Sequence, residues 1–235
     1  MRLSLIIPAY NEEQKIIRTL TEYISFLRQQ FGESFEIIVV ANGCQDQTAK
    51  VVREFQLNNP EVVLIEDALP RKGRAVHLGF EQARGEWVSF VDADNAVPVA
   101  EWQKLFLALN GAEAAIASRF LPNSTVFNRT WFRKLAGQLF SIFVRILFNL
   151  PLVDTQCGAK IIKASALTPI LKDLTVTNMA FDVQLLWLLH RRGAKIREIP
   201  ITWRGAANGA VASPIKFIKQ TFKMVWSLLI IRLFS

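Results

Sequence analysis

Short apolar runs alternate with helical patterns through the first half of the chain. Residues 3–7, 36–41, 62–66, 87–91 and 114–118 are strand-like, and too continuously apolar for a sheet with one wet face. Between the first two, residues 12–30 place Ile16, Leu20, Tyr23, Ile24 and Leu27 on one helical face, and Asn11 stands where an N-cap belongs. Further helices are predicted over about 46–55, 73–84 and 98–109. This order predicts an α/β fold, a mostly parallel, Rossmann-like sheet flanked by helices. Ligands of such sheets bind beyond the carboxyl ends of the strands, so the loops after Ile7, Val40, Glu66 and Val91 are expected to build the site.

The second half has a different texture. Residues 130–150 are dense in large apolar side chains, among them Trp131, Phe132, Leu139, Phe140 and Phe148, with Arg129, Arg133, Lys134 and Arg145 near or among them. The C-terminal stretch 215–234 resembles it, with Lys216, Lys219, Lys223 and Arg232 among Phe217, Phe222, Trp226 and Leu229. Neither offers the roughly 20 uncharged apolar residues of a membrane span. Two descriptions fit both segments: ordinary core helices, or basic amphipathic helices lying in a membrane interface. Their occurrence twice in a basic chain favours the interface.

Composition narrows the partners. The 235 residues are 51% hydrophobic, enough for a sizeable core, in one large domain or two small ones. The formal net charge is +8, which suits nucleic acid, anionic lipid or a polyanionic substrate. No basic run with interleaved aromatics is present, so nucleic acid is not the expected partner. Cys44 and Cys157 have no metal-ligand spacing and are expected to be free thiols of a reducing compartment. The chain enters its first strand directly, with no secretory-signal pattern before it.

The candidate chemistry gathers at the predicted strand ends. Asp92-Ala93-Asp94 follows the fourth strand, and in an extended backbone residues i and i+2 point to the same side. Both carboxylates can face one hard cation such as Mg²⁺, which typically takes one or two carboxylates plus substrate phosphate oxygens. Taken alone, so short a match more often marks a solvated loop carrying two acids. Tyr10 could stack on a base and Glu12 could accept a hydrogen bond from a base or ribose, although Glu12 also fits as a first-turn acid. Asn42-Gly43 reads as a tight turn. Arg71-Lys72-Gly73-Arg74 opens a helix and offers an anion site, or only a solvated basic turn. Asp182 lies in an apolar helix, where a carboxylate needs a partner: an Arg near the site, or a capping role. His77 and His190 are expected to be structural.

In order and spacing these loops resemble glycosyltransferase family 2, of GT-A fold. The resemblance continues through Ser118-Arg119-Phe120, Asp154-Thr155-Gln156-Cys157-Gly158-Ala159-Lys160, Phe181-Asp182-Val183 and Ile199-Pro200-Ile201-Thr202-Trp203. These blocks look like the polyprenyl-phosphate branch, closest to the dolichyl-phosphate glucosyl type. The resemblance implies a GT-A domain over 1–210, including the 130–150 segment, and a membrane-associated amphipathic segment over 211–235. It implies that Pro8, Ala9, Tyr10, Glu12, Ala41, Asn42, Lys72, Gly73, Asp92 and Ala93 hold a nucleotide-sugar. Asp92 and Asp94 would hold Mg²⁺ or Mn²⁺, with Asp94, Arg119 and Arg133 catalytic. Arg119 and Arg133 would bind the phosphate of a lipid acceptor, alongside Gln156, Asp182 and Arg204. Three positions depart from the family pattern: Ala41-Asn42 where Asp-Asp is usual, Ala96 where the mannosyl type has Gln, and Ala207-Asn208-Gly209 where Gly-Ser-Lys is frequent. Lys216 could supply the lysine that the last departure removes.

The function so implied is inverting transfer of a hexose from a UDP-glucose-like or GDP-mannose-like donor to a polyprenyl (dolichyl) phosphate. The expected location is a membrane surface, on the cytoplasmic face of the cell membrane, or of the endoplasmic reticulum in a eukaryote. The competing readings are transfer to a non-lipid saccharide and a non-catalytic nucleotide-sugar-binding membrane protein.

Overall fold

A computed structural model describes residues 1–128, 130–205 and 214–234, without the side chains of 214–218, 220 and 234. Arg129, Ala207-Asn208-Gly209 and the side chain of Lys216 therefore lie outside the described residues. The predicted strands form as β1 (Leu3–Ala9), β2 (Phe35–Asn42), β3 (Val62–Asp67), β4 (Trp87–Val91) and β5 (Ala114–Ser118). A short pair follows later, β6 (Thr125–Phe127) with β9 (Thr202–Arg204). The main sheet is completed by β7 (Ala159–Lys163) and β8 (Ile196–Pro200), in the order β3-β2-β1-β4-β7-β5-β8. Only β7 runs antiparallel to its neighbours, β4 and β5. The expected mostly parallel sheet is therefore correct.

Helices α1 (Ile16–Phe31), α2 (Thr48–Gln56), α3 (Lys72–Gln82), α4 (Val99–Leu107), α5 (Trp131–Phe148), α6 (Ala164–Leu167), α7 (Phe181–Arg191) and α8 (Pro214–Phe234) cover both faces. Residues alternate along β1: Ile6 enters the core shared with α3 and α7, while Leu5 and Ile7 enter the core of α1 and α4. That two-sided burial is why the strands read as unbroken apolar runs.

One boundary differs from the sequence pattern. Residue 11 does not cap a helix; α1 starts at Ile16. Asn11 has a left-handed backbone, φ 54°, and its side-chain oxygen accepts from Gln45 N at 2.8 Å. Glu12 N donates to Thr48 Oγ1 at 2.8 Å and Glu13 N to Asp46 Oδ2 at 3.1 Å. Segment 11–13 is thus sewn to the start of α2, which holds the loop after β1 open above the sheet.

The two amphipathic segments are core helices on one side and leave an apolar stripe exposed on the other. The inner stripes, Val144 and Phe148 of α5 with Leu228 and Ile231 of α8, join the same core as α7. Burying each such side chain contributes about 1.5–3 kcal/mol. The outer stripes are bare: Trp131, Leu139, Ile142 and Ile146 on α5, and Phe222, Trp226 and Leu233 on α8, are all exposed. Among the described residues no helix is long and apolar enough to cross a membrane.

A buried carboxylate fixes one end of the sheet. Glu36 of β2 accepts from Ser4 Oγ of β1 at 2.6 Å, and from the backbone and side chain of Arg84 at 2.6–3.0 Å. Burial alone would push its carboxyl up, but these donors outweigh burial and hold it below its ordinary value. A depressed carboxyl stabilises the fold above the unfolded-state value, about 4.3, and loses that contribution as pH falls through the folded value. Glu36→Gln should cost about 1–3 kcal/mol at neutral pH and flatten the acid limb of stability. Urea unfolding between pH 3 and 7 tests both: a variant with the wild-type pH slope would show that Glu36 is not the titrating group.

Candidate active site

The strand order turns at β1, with β2 on one side and β4 on the other. Chains leaving the two strands at such a switch diverge, and a crevice opens beyond their carboxyl ends. A cavity of about 470 Å³ lies there. Pro8 near the end of β1, Tyr10 and Glu12 from the loop after it, Asn42 at the end of β2, Arg71 and Lys72 at the start of α3, and Asp92 to Asp94 after β4 all line it.

The Asp-Ala-Asp geometry follows from alternation. Ala93 is buried, and its carbonyl accepts from Thr19 Oγ1 of α1 at 2.8 Å. Asp92 and Asp94 consequently face the other way, into the cavity. Asp94 Oδ1 accepts from Ala96 N at 3.0 Å, which closes the turn. Burial, and then the charge of Asp92, push the Asp94 carboxyl up. Asp92 N donates to Gly158 O at 3.1 Å, and a Cβ on Gly158 would fall on the Asp92 carboxylate. Lys72 pairs with Asp92 from the opposite wall. Two hard oxygen donors on one side of a backbone, crowded enough to raise one of them, suit a divalent cation.

Beneath them lies a pair that the sequence only half revealed. Lys160 of β7 is fully buried and donates to Asp182 Oδ1 of α7 at 2.5 Å and to Cys157 O at 2.8 Å. Burial pushes the Asp182 carboxyl up, and Lys160 and Lys72 oppose it. Asp182 is thus neither a cap nor an arginine partner, and its side chain lines neither cavity. Its need for a partner was legible; the lysine, inside the apolar run 159–162, was the missing half. Burial drives the Cys157 thiol up to about 12, so it stays protonated and inert.

A second cavity of about 380 Å³ adjoins the first, with Met179 and Met224 in the walls of both. Arg119, Arg133, Thr155, Gln156 and Trp203 line it. Arg119 is held bidentately by the buried Asp154, at 2.7 and 2.8 Å. Burial raises the Asp154 carboxyl, but Arg119 overrides this and holds it below its ordinary value. One fork of Arg119 is therefore committed to the protein. Thr155 Oγ1 and Gln156 Nε2 are buried without a hydrogen-bond partner among the described residues. Orphaned polar groups of this kind call for a partner from outside the chain, a water, an ion or a ligand.

Several expected positions stand elsewhere. Ala9 at the end of β1 and Ala41, one residue before the end of β2, have buried side chains, so they back the cavity wall without lining it. Gly73 does not face the cavity either: a Cβ there would strike Asn178 O and Phe181, so the glycine lets α3 pack against α7. Arg204 lies exposed on β9, where its backbone N donates to Ala96 O, and lines neither cavity. Neither His77 nor His190 lines either of these two cavities; His77 Nε2 lies 3.0 Å from Leu171 O. Conversely, Asn178, Met179, Lys223 and Met224 line the first cavity with no local motif to announce them.

Comparison with known proteins decides the family. The model of glycosyl transferase family 2 matches residues 4–171. The chain belongs to glycosyltransferase family 2. It is 34% identical to a dolichyl-phosphate beta-glucosyltransferase of Saccharomyces cerevisiae, spanning 95% of this chain and 73% of that protein. A protein of the same name from Homo sapiens is 33% identical over 86% of this chain and 67% of its own length. Among solved structures, glucosyl-3-phosphoglycerate synthase from Mycobacterium tuberculosis, in complex with Mn²⁺, UDP and phosphoglyceric acid, superposes with a TM-score of 0.68 at 18% identity. That alignment covers 98% of this chain and 78% of the synthase, and it bears on the fold alone. The GT-A architecture and the enzyme class, glycosyl transfer, are thereby as expected.

The Lys160–Asp182 pair supports this glycosyltransferase site from below. Lys160→Met alone should cost about 3–5 kcal/mol, because it strands a buried carboxylate, and Lys160→Met with Asp182→Leu should recover most of that loss. Chemical denaturation of both variants is the measurement; a double variant no more stable than the single would refute a mainly electrostatic cost.

Proposed function

We propose that this glycosyltransferase transfers glucose from a nucleoside-diphosphate glucose to a polyprenyl phosphate of the dolichyl class, with inversion, at a membrane surface. The observation that carries the acceptor is the second cavity, with its orphaned Thr155 and Gln156 groups beside two arginines and its common wall with the Asp92–Asp94 cavity. The names of the relatives support the sugar and the lipid, and their beta linkage fits inversion at an α-linked nucleotide-sugar.

Tyr10, Glu12 and Asn42 would hold the nucleoside. Arg71 and Lys72 from the start of α3 and Lys223 from α8 would face the diphosphate. Asp92 and Asp94 would hold Mg²⁺ or Mn²⁺, which neutralises charge on the departing diphosphate. Arg133, Thr155, Gln156 and the uncommitted edge of Arg119 would orient the lipid phosphate, whose oxygen attacks the anomeric carbon. That oxygen is ionised at neutral pH, so no histidine base is required. The bare stripes of α5 and α8 would lie in the membrane interface and bring the second cavity to a lipid that cannot leave the bilayer.

Incubation with radiolabelled nucleotide-glucose, dolichyl phosphate and Mn²⁺ should yield a chloroform-soluble glucolipid, and Asp94→Ala should lower the rate about a hundredfold or more. A set of donors that gives no labelled lipid would overturn the reading. Flotation tests the surface separately. The wild-type chain should float with vesicles containing anionic phospholipid, and the triple variant Trp131→Glu, Ile146→Glu, Trp226→Glu should stay at the bottom. A wild-type chain that ignores the vesicles would remove the membrane from the proposal.

A further inference from the structure

Among the described residues, Lys72 is a cavity-lining cation whose ammonium is already paired with a carboxylate assigned above to the metal. It stands at the first position of α3, mostly buried, and closes on Asp92; Asp182 and Asp94 also act on its charge. The backbone beneath it is fixed. Ala75 N donates to Arg71 O at 3.0 Å, Arg74 N donates to Thr177 O at 3.2 Å, and Gly73 is wedged against Asn178 and Phe181. Any rearrangement here is therefore a swing of one side chain. A lysine stem allows this, because it is a flexible chain ending in a compact charge.

The metal site is thin on the protein side. Among the described residues no group of three or more His, Cys, Asp or Glu side chains could hold an ion. A cation would rely on Asp92, Asp94 and the substrate diphosphate, and Lys72 already neutralises one of the two carboxylates. Two cations cannot share Asp92 at this range without strong mutual repulsion.

We propose that Lys72 is a displaceable internal cation, which holds Asp92 until a divalent ion arrives with its nucleotide and then turns from Asp92 to the diphosphate. This rests on the assignment of Asp92 and Asp94 to the metal. It makes metal and nucleotide binding mutually dependent: the bare ion must evict Lys72 with nothing in return, whereas the ion–diphosphate complex supplies the ammonium with a new partner. The pair also keeps the Asp92 carboxylate in place while no ion is bound.

The test is Mn²⁺ binding to the full chain without any sugar donor, followed by the electron-spin resonance signal of free Mn²⁺. Lys72→Met keeps the apolar stem and should bind Mn²⁺ about tenfold more tightly than wild type, while Lys72→Arg should bind like wild type. Adding UDP should raise the Mn²⁺ affinity of wild type by a larger factor than that of Lys72→Met. Lys72→Gln replaces the Met variant if the latter fails to give a cooperative thermal transition. An unchanged or weaker Mn²⁺ affinity in the charge-removing variant would overturn the exchange. Asp94→Asn separates the two failures. If it abolishes Mn²⁺ binding while Lys72→Met gains nothing, only the exchange falls. If Mn²⁺ binding survives Asp94→Asn, or neither wild type nor Lys72→Met binds Mn²⁺, the assignment of the metal to this pair falls and the exchange with it.

Discussion

The carboxylate of Asp92 occupies the space where a side chain on residue 158 would be. Much of the site depends on that close approach. Strand β7 runs antiparallel beside β4, with Ala159 opposite Val91, so residue 158 meets residue 92 just past the end of the ladder. A glycine at 158 lets the two backbones close to hydrogen-bonding distance and leaves Asp92 room to face the cavity. Any larger residue would require Asp92 or the strand to move.

The same strand and the loop that enters it carry support to both sides of the site. Before Gly158 the loop delivers Asp154, Thr155 and Gln156 to the second cavity; after it the strand buries Lys160 against Asp182. A single reversed strand in an otherwise parallel sheet thus connects the arginine-lined cavity to the carboxylate-lined one. The two charged pairs, Arg119–Asp154 and Lys160–Asp182, are almost wholly out of water. Pairs so placed contribute little net stability but hold a defined geometry, because either partner left alone would be a buried charge.

The strands and their burial were legible because a sheet covered on both faces leaves continuous apolar runs, and 87–91 and 114–118 match their strands residue for residue. The cavity edge was legible for the same reason: Pro8, Tyr10, Glu12, Asn42 and Asp92 to Asp94 all lie at or just past strand ends in sequence. What escaped was whatever depends on contacts distant in the chain. Ala9, Ala41 and Gly73 belong to the right segments but turn their faces to the core, a choice made by packing and not by motif. Asn11 looked like a helix cap because its own neighbourhood is helical in pattern; its oxygen is taken by Gln45, 34 residues away. Met179, Lys223 and Met224 reach the cavity from α8 and the loop before α7, and no local spacing encodes that meeting.

Helix α8 has two sides with different obligations. One side supplies Lys223 and Met224 to the cavities, and Asn178 Nδ2 holds it at Ser227 Oγ, 2.8 Å away; the other shows Phe222, Trp226 and Leu233 to the surroundings. A rigid rod cannot tilt on one side only. Met224 stands in the walls of both cavities, so a tilt of α8 forced at its outer stripe would move the wall that the two chambers share.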